Sequence, residues 1–208
     1  MMDTLYERYP VLLPEKEHIE AVIELLCSIF ENGSNLYLCG NGGSAADCDH
    51  IVGELMKGFL LKRPVNQALR RKFAELGEPA IAACLQEGLP AISLTGGGAL
   101  PTAYANDMNP EYIFAQQVMG LGRAGDILLG ISTSGNARNV RNAMVVAKAK
   151  GMHTVGLTGK TGGWLAENAD IAICVPEGET YKIQELHLPV YHWICASVER
   201  HFFEETVE

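Results

Sequence analysis

Apolar residues recur along this chain in two alternating rhythms. The stretch EKEHIEAVIELLCSIFENG places Ile19, Val22, Ile23, Leu26 and Phe30 at helical spacing, and Gly33 supplies a common helix-ending residue. A continuous apolar run over residues 36–39 then reads as a short buried strand. It leads into Gly40, Asn41, Gly42, Gly43 and Ser44, and a helix over residues 45–59. Three further strands, over 90–94, 126–131 and 154–157, each end in a small-residue loop. The first ends at Thr95, Gly96, Gly97 and Gly98, the second at Ser132, Thr133, Ser134, Gly135 and Asn136, the third at Thr158 and Gly159. Helices are expected over 110–121, up to residue 150, and from residue 180 onward, the last following a fifth strand over 170–175.

Apolar strands alternating with helices imply a parallel sheet covered on both faces. Five strands suit a flavodoxin-like doubly wound order. The pattern thus predicts an α/β fold in a single domain over 1–208, with an N-terminal helical arm over 1–34. Residues 62–88 interrupt the rhythm with VNQALRRKFAELGEPAIAACLQEG. That is too long for an ordinary connection and reads as a helical insertion of one or two helices.

Composition narrows the classes. With 208 residues, 48% hydrophobic and 20% charged, the chain can bury a sizeable core. A formal net charge of −9 argues against nucleic acid or an anionic membrane as partner. It leaves room for a phosphate ligand, because such sites are often built from backbone N–H groups. The six cysteines include no C-x-x-C pair and read as free thiols of a reducing compartment. No apolar run approaches the ~20 residues of a membrane span, and MMDTLYERYP is not a signal peptide. A cytoplasmic location is therefore expected.

In open α/β sheets ligands bind beyond the carboxyl ends of the strands. There the loop CGNGGSAAD allows close backbone approach at Gly42 and Gly43, and Ser44 can cap the helix and donate to an oxygen. In GISTSGNARN, Ser132, Thr133 and Ser134 set three hydroxyls ahead of a helix, where the dipole favours an anion. Neither loop is a Walker loop or a dinucleotide fingerprint. His50 and Glu54 share a helix face four residues apart, which suits either a metal or an acid–base pair. In the final helix, KIQELHLPVYHWI carries Gln184, His187 and His192, with His187 on a different face and therefore the structural histidine. Gln184 and His192 are separated by ~12 Å of axial rise, and Pro189 between them is expected to kink the helix toward or away from convergence.

Taken together, CGNGGSAADCDHIVGEL, the Asn106-Asp107 pair, GRAGDILLGISTSGNARNV, GMHTVGLTGKTGG and KIQELHLPVYH resemble the SIS-domain (sugar isomerase) phosphosugar isomerases, and within them the phosphoheptose isomerase family. The resemblance implies a homotetramer with intersubunit active sites that interconverts an aldose and a ketose phosphate, typically sedoheptulose 7-phosphate and D-glycero-D-manno-heptose 7-phosphate. It implies Glu54 as the base and His192 as its acid–base partner. Asn41, Gly42, Gly43, Ser44, Ser132, Thr133, Ser134 and Asn136 would form the substrate loops, with Asp107 and Gln184 on sugar hydroxyls. Some members bind Zn²⁺ through positions matching His50, Glu54, Gln184 and His192; others work without it. Two positions depart from the family pattern: Gly58 and Ala137 stand where an Arg and a Ser are usual. The resemblance also admits a noncatalytic alternative, a phosphosugar-binding or replication-initiator-associating scaffold, but such a module has no need of the Glu54–His192 pair.

Overall fold

The computed structural model describes residues 5–96 and 98–204. Part of the N-terminal arm, the loop glycine Gly97 and the last residues of the chain lie outside them. A four-residue helix α1 (Leu5–Arg8) and a 3₁₀ segment (Pro10–Glu15) precede α2 (Lys16–Glu31), whose face of Ile19, Val22, Leu26 and Phe30 is buried as its spacing predicts. Then come β1 (Leu36–Gly40), α3 (Gly43–Met56), α4 (Gln67–Glu75), α5 (Ile81–Cys84), β2 (Ala91–Ser93) and α6 (Ala99–Asp107). A 3₁₀ turn (Pro110–Tyr112) leads into α7 (Ile113–Leu121), β3 (Ile127–Ile131), α8 (Arg138–Ala149) and β4 (His153–Thr158). The chain closes with α9 (Gly163–Asn168), β5 (Ile171–Cys174) and α10 (Thr180–Phe203).

The sheet has the order β2-β1-β3-β4-β5 and every pairing is parallel. This is the expected doubly wound order. β1 shows why the runs are continuously apolar: Leu36 and Leu38 face one buried cluster, Tyr37 and Cys39 the other. The first cluster unites the sheet with α2, α3 and α10; the second unites it with α7, α8 and α9. The carboxyl ends of β1, β3 and β4 consequently open onto the start of α3, the loop before α8 and the start of α9.

Three expectations change. α6 and α9 were not expected, because ALPTAYAND and GWLAEN are short and lack a strong helical period. Ser44 is not the helix cap: Gly42 occupies that position with no side-chain bond, and Ser44 is buried within the first turn. The Ser132–Ser134 hydroxyls do not sit directly at a helix terminus either, since α8 begins only at Arg138 with Ala137 as its cap. Residues 62–88 carry α4 and α5, closed by a bridge between Pro64 and Gln86. α10 continues as one helix through Pro189.

Candidate active site

α3 and α10 pack side by side on one face of the sheet. That packing brings His50, Glu54 and His192 together within one chain. His50 Nε2 lies 3.1 Å from Glu54 Oε1 and 3.3 Å from His192 Nε2. Ligand atoms of all three residues lie within 4.8 Å of one another. Tetrahedral zinc with bonds of about 2.1 Å spaces its ligands about 3.4 Å apart, so two imidazole nitrogens and a carboxylate oxygen at these distances fit such an ion. Burial, reinforced by His50, lowers the His192 pKa against the opposing pull of Glu54, which favours a neutral ring able to take or give one proton.

Gln184 is placed elsewhere. Its amide lies over Gly43, where any Cβ would strike it. Gly43 and His50 are separated by about 10 Å of rise along α3, so Gln184 closes the loop end of the cleft and the trio closes the other. Gly42 and Asn41 are exposed beside it. The Asn41 amide is engaged in a reciprocal pair with Asn139, at 2.9 and 2.8 Å, which ties the β1 loop to α8.

The second loop is held by its own polar groups. Ser132 is buried and accepts weakly from the Ala137 N–H at 3.4 Å. Asn136 donates to Ser134 O at 2.9 Å and accepts from the Trp164 N–H at 3.0 Å, so its amide staples the loop to α9. Thr133 O accepts from the Gly159 N–H at 3.1 Å. Ser134 Oγ accepts from the Asn136 N–H at 3.2 Å, and Thr133 and Ser134 line a cavity of about 190 Å³ together with Lys160, Thr161, Glu177 and Thr180. Asp107 ends α6 in an exposed position and accepts from Asn106 Nδ2 at 2.9 Å.

The departures from the family pattern have structural consequences. At Gly58 a Cβ would lie 2.5 Å from Leu61 O and 2.7 Å from Gln86 Oε1, so no arginine fits this backbone. The Gly58 N–H instead donates to Gln86 at 2.7 Å. Lys57 brings the nearest cation, 3.9 Å from Glu54 Oε2, but it is 61% exposed and acts as a screened point charge.

Sequence reasoning missed the brace behind the trio. Arg63 and Glu199 are both fully buried and paired at 2.9 Å. Glu199 also accepts from the N–H groups of Phe59, Leu60 and Leu61, at 2.7, 2.7 and 3.1 Å. Arg63 donates to Leu55 O and Glu54 O, capping the end of α3 that carries Glu54. Burial raises the Glu199 pKa, but these donors outweigh it and hold the carboxyl below its ordinary value. The pair lies 136 positions apart in the chain, and neither residue belongs to a local motif that would have drawn attention to it. Lys160 stood within GKTGG, a stretch visible in the sequence but without an assigned role.

His187 is buried, with Nε2 3.3 Å from Thr158 O. Burial pulls its pKa down to about 4, so it stays neutral and donates to the end of β4. It is structural, as its helix face predicts.

Comparison with known proteins follows from this geometry. SIS-domain family profiles match residues 101–196 and 10–80. The phosphoheptose isomerase of Roseiflexus sp. (strain RS-1) is 43% identical over 90% of this chain and 83% of that protein. That of Synechocystis sp. is 40% identical over 90% of this chain and 84% of its own length. Among solved structures, a phosphoheptose isomerase from Francisella tularensis aligns with a TM-score of 0.75 at 30% identity, covering 93% of this chain and 90% of that one. The phosphoheptose isomerase from Neisseria gonorrhoeae gives 0.72 at 34% identity, covering 89% and 86%.

Proposed function

The chain belongs to the phosphoheptose isomerase family of SIS-domain proteins, and from that premise we propose how it acts on its substrate. It is a phosphosugar isomerase, converting sedoheptulose 7-phosphate into D-glycero-D-manno-heptose 7-phosphate. The observation that carries the mechanism is the convergence of Glu54 and His192 beside His50 in one chain. Glu54 removes the proton from C1 of the ketose while His192 protonates the C2 oxygen, giving an enediol. Return of the carbon-bound proton to C2 and release of the O1 proton leaves the aldose. No atom is gained or lost. A positioned acid and base are each worth about 10²–10⁴-fold.

At the other end of the cleft, Ser44, Thr133 and Ser134 with the backbone of Gly42 and Gly43 take the phosphate. Ser132 and Asn136 hold the loop in shape, as Asn41 does for its neighbour, and Asp107 and Gln184 serve sugar hydroxyls. Zn²⁺, where bound, would be held by His50, Glu54 and His192 and would polarise the substrate oxygens; Gln184, the fourth ligand position that the family resemblance implied, lies over Gly43 at the loop end instead.

We read the chain as one domain over 1–208, with an arm over 1–34 and an insertion over 62–88 that supplies Gln86 to Gly58. The homotetramer rests on the family resemblance; an apolar groove of about 470 Å³ that runs past His192 and includes exposed Leu60 and Leu188 is a surface that such an assembly could cover. The described residues contain no helix long and apolar enough to cross a membrane, and the six cysteines are free; both agree with a cytoplasmic enzyme.

Incubation with sedoheptulose 7-phosphate in D₂O tests the reading. Solvent deuterium should enter the product at C2, and Glu54→Gln should abolish exchange while binding persists. A wild-type protein that binds C5 to C7 sugar phosphates without ever exchanging deuterium would be a scaffold and not an isomerase.

A further inference from the structure

Behind the trio lies a second layer of polar groups that the proposed reaction does not use. Tyr191 Oη sits 2.9 Å from His50 Nδ1 and 3.3 Å from Asp47 Oδ1. Tyr191 is buried within α10, and Asp47 lies one turn before His50 on α3. Asp47 Oδ2 is buried with no hydrogen-bond partner among the described residues.

A tyrosine has one hydroxyl proton to share between these two neighbours. If it goes to His50 Nδ1, both oxygens of the Asp47 carboxylate are left without a partner. Stranding a buried charged acceptor costs more than the about 1–3 kcal/mol of a neutral one. If it goes to Asp47, His50 Nδ1 must carry a hydrogen and donate to the phenol oxygen. His50 Nε2 is then bare. It faces Glu54 and His192, and can accept from His192 Nε2–H across their 3.3 Å contact. The first arrangement lets His50 Nε2–H donate to Glu54 at the expense of Asp47; the second pairs Asp47 and leaves His50 Nε2 and Glu54 Oε1, 3.1 Å apart, as two acceptors facing one another, a pairing that a cation between them satisfies.

We propose that Asp47 and Tyr191 are positioning residues: the Asp47–Tyr191–His50 chain fixes the Nδ1–H tautomer of His50 and presents Nε2 as a ready metal ligand. The proposal rests on the metal-site part of the functional reading, and goes beyond it by assigning the layer that orders the site. Partners of this kind on a metal-binding imidazole are worth about 10–100-fold in affinity. Tyr191 escaped attention in the sequence because it counts as one more apolar position of a buried helix.

The test uses zinc alone, with affinity read by chelator competition on the purified full chain. Tyr191→Phe and Asp47→Asn should each weaken zinc binding about 10–100-fold. The double variant should be no more than about twofold worse than the weaker single one, because both act through one hydrogen-bond chain. Thermal melts in EDTA establish that each variant folds, and Asp47→Asn alone carries the test if Tyr191→Phe does not. Nitrogen-detected NMR of the zinc-free protein at pH 8 should find the hydrogen of His50 on Nδ1, moving to Nε2 in Tyr191→Phe.

A wild type that takes no zinc, a Tyr191→Phe affinity within twofold of wild type, effects that multiply, or an Nε2–H tautomer in the wild type would each overturn the proposal. Deuterium exchange on the sugar phosphate reads the isomerase assignment separately, so the two can fail independently.

Discussion

The two ends of the cleft are built by different means. The anion end consists of loops at the strand termini, each stapled by bonds close at hand: Asn41 to Asn139, Asn136 to Ser134 and Trp164, Gly159 to Thr133. The reacting end consists of side chains from two helices whose relative position is set by packing and by one buried ion pair. Local stapling makes the first end tolerant, because losing one hydroxyl leaves the loop in place. The second end is intolerant, because displacement of α10 against α3 moves an acid away from its base, and misplacement of about 1 Å can cost 10²-fold.

The sharpest way to break this contrast is to truncate one group from each end. Glu54→Gln cannot accept a proton, so kcat should fall about 10³-fold with KM little changed. Ser134→Ala removes one donor to a charged phosphate, so KM should rise about tenfold with kcat retained. Steady-state kinetics on both variants decide it. A Ser134→Ala enzyme that loses kcat as deeply as Glu54→Gln would mean that the two ends are not separable.

A second variant probes the brace. Arg63→Met leaves Glu199 buried and uncompensated, which should cost about 3 kcal/mol in denaturant unfolding. It also frees the carbonyls of Glu54 and Leu55, so the surviving folded enzyme should lose kcat more than KM. Arg63→Lys should recover stability only in part, since one ammonium cannot reproduce the bonds to Glu199, Leu55 and Glu54. An Arg63→Met protein as stable and active as wild type would show that helix packing alone sets the reacting end.

The contrast also explains what the sequence made legible. The strands and their order could be read because short apolar runs between glycine-rich turns have few other interpretations, and the hydroxyl loops could be read because ligand loops at strand ends are contiguous. His50 and Glu54 were visible at helical spacing. Their meeting with His192 was not, since spacing within α10 says nothing of its distance from α3; only resemblance to a family supplied it. Arg63, Glu199, Asp47 and Tyr191 were missed for the same reason: each acts across elements, and Tyr191 was hidden by the helix it stabilises. Ser44 was misread as a cap because a hydroxyl before a helix has that signature, whereas here the glycine turn had already begun the helix.

Acid should separate α10's two attachments. His187 is held at about 4 by burial, below its ordinary 6.5. The unfolded chain therefore binds its proton first, and stability falls as pH drops from 6.5 toward 4. The loss should reach about 2 kcal/mol by pH 5. Glu199 is held below the ordinary carboxylate value by its donors, so its contribution is intact between pH 7 and pH 5 and is lost as pH falls from that ordinary value through its own depressed pKa. Urea unfolding of His187→Gln between pH 7 and pH 5 should show a shallower slope than wild type. An unchanged slope would mean that His187 does not titrate in the unfolding reaction.

The smallest expected effect sharpens the contrast from the tolerant side. Ala137 occupies the cap position of α8 with extended backbone, φ −61° and ψ 118°, and has no side-chain acceptor to offer the first turn. A serine there can accept from an N–H of that turn without any change of backbone, which is worth about 1 kcal/mol relative to alanine. The cavity lined by Thr133 and Ser134 belongs to the same loop, so the added hydroxyl has two possible employers. If it caps the helix, Ala137→Ser should raise the melting temperature with KM unchanged. If it serves the phosphate, KM should fall with little gain in stability, and the two ends would differ in their chemistry but not in how far a single local hydroxyl tunes them. Melting curves and KM measured on the one variant separate these outcomes. The cap outcome is expected, because Ser132 already takes the Ala137 N–H and holds the residue's backbone in place for it.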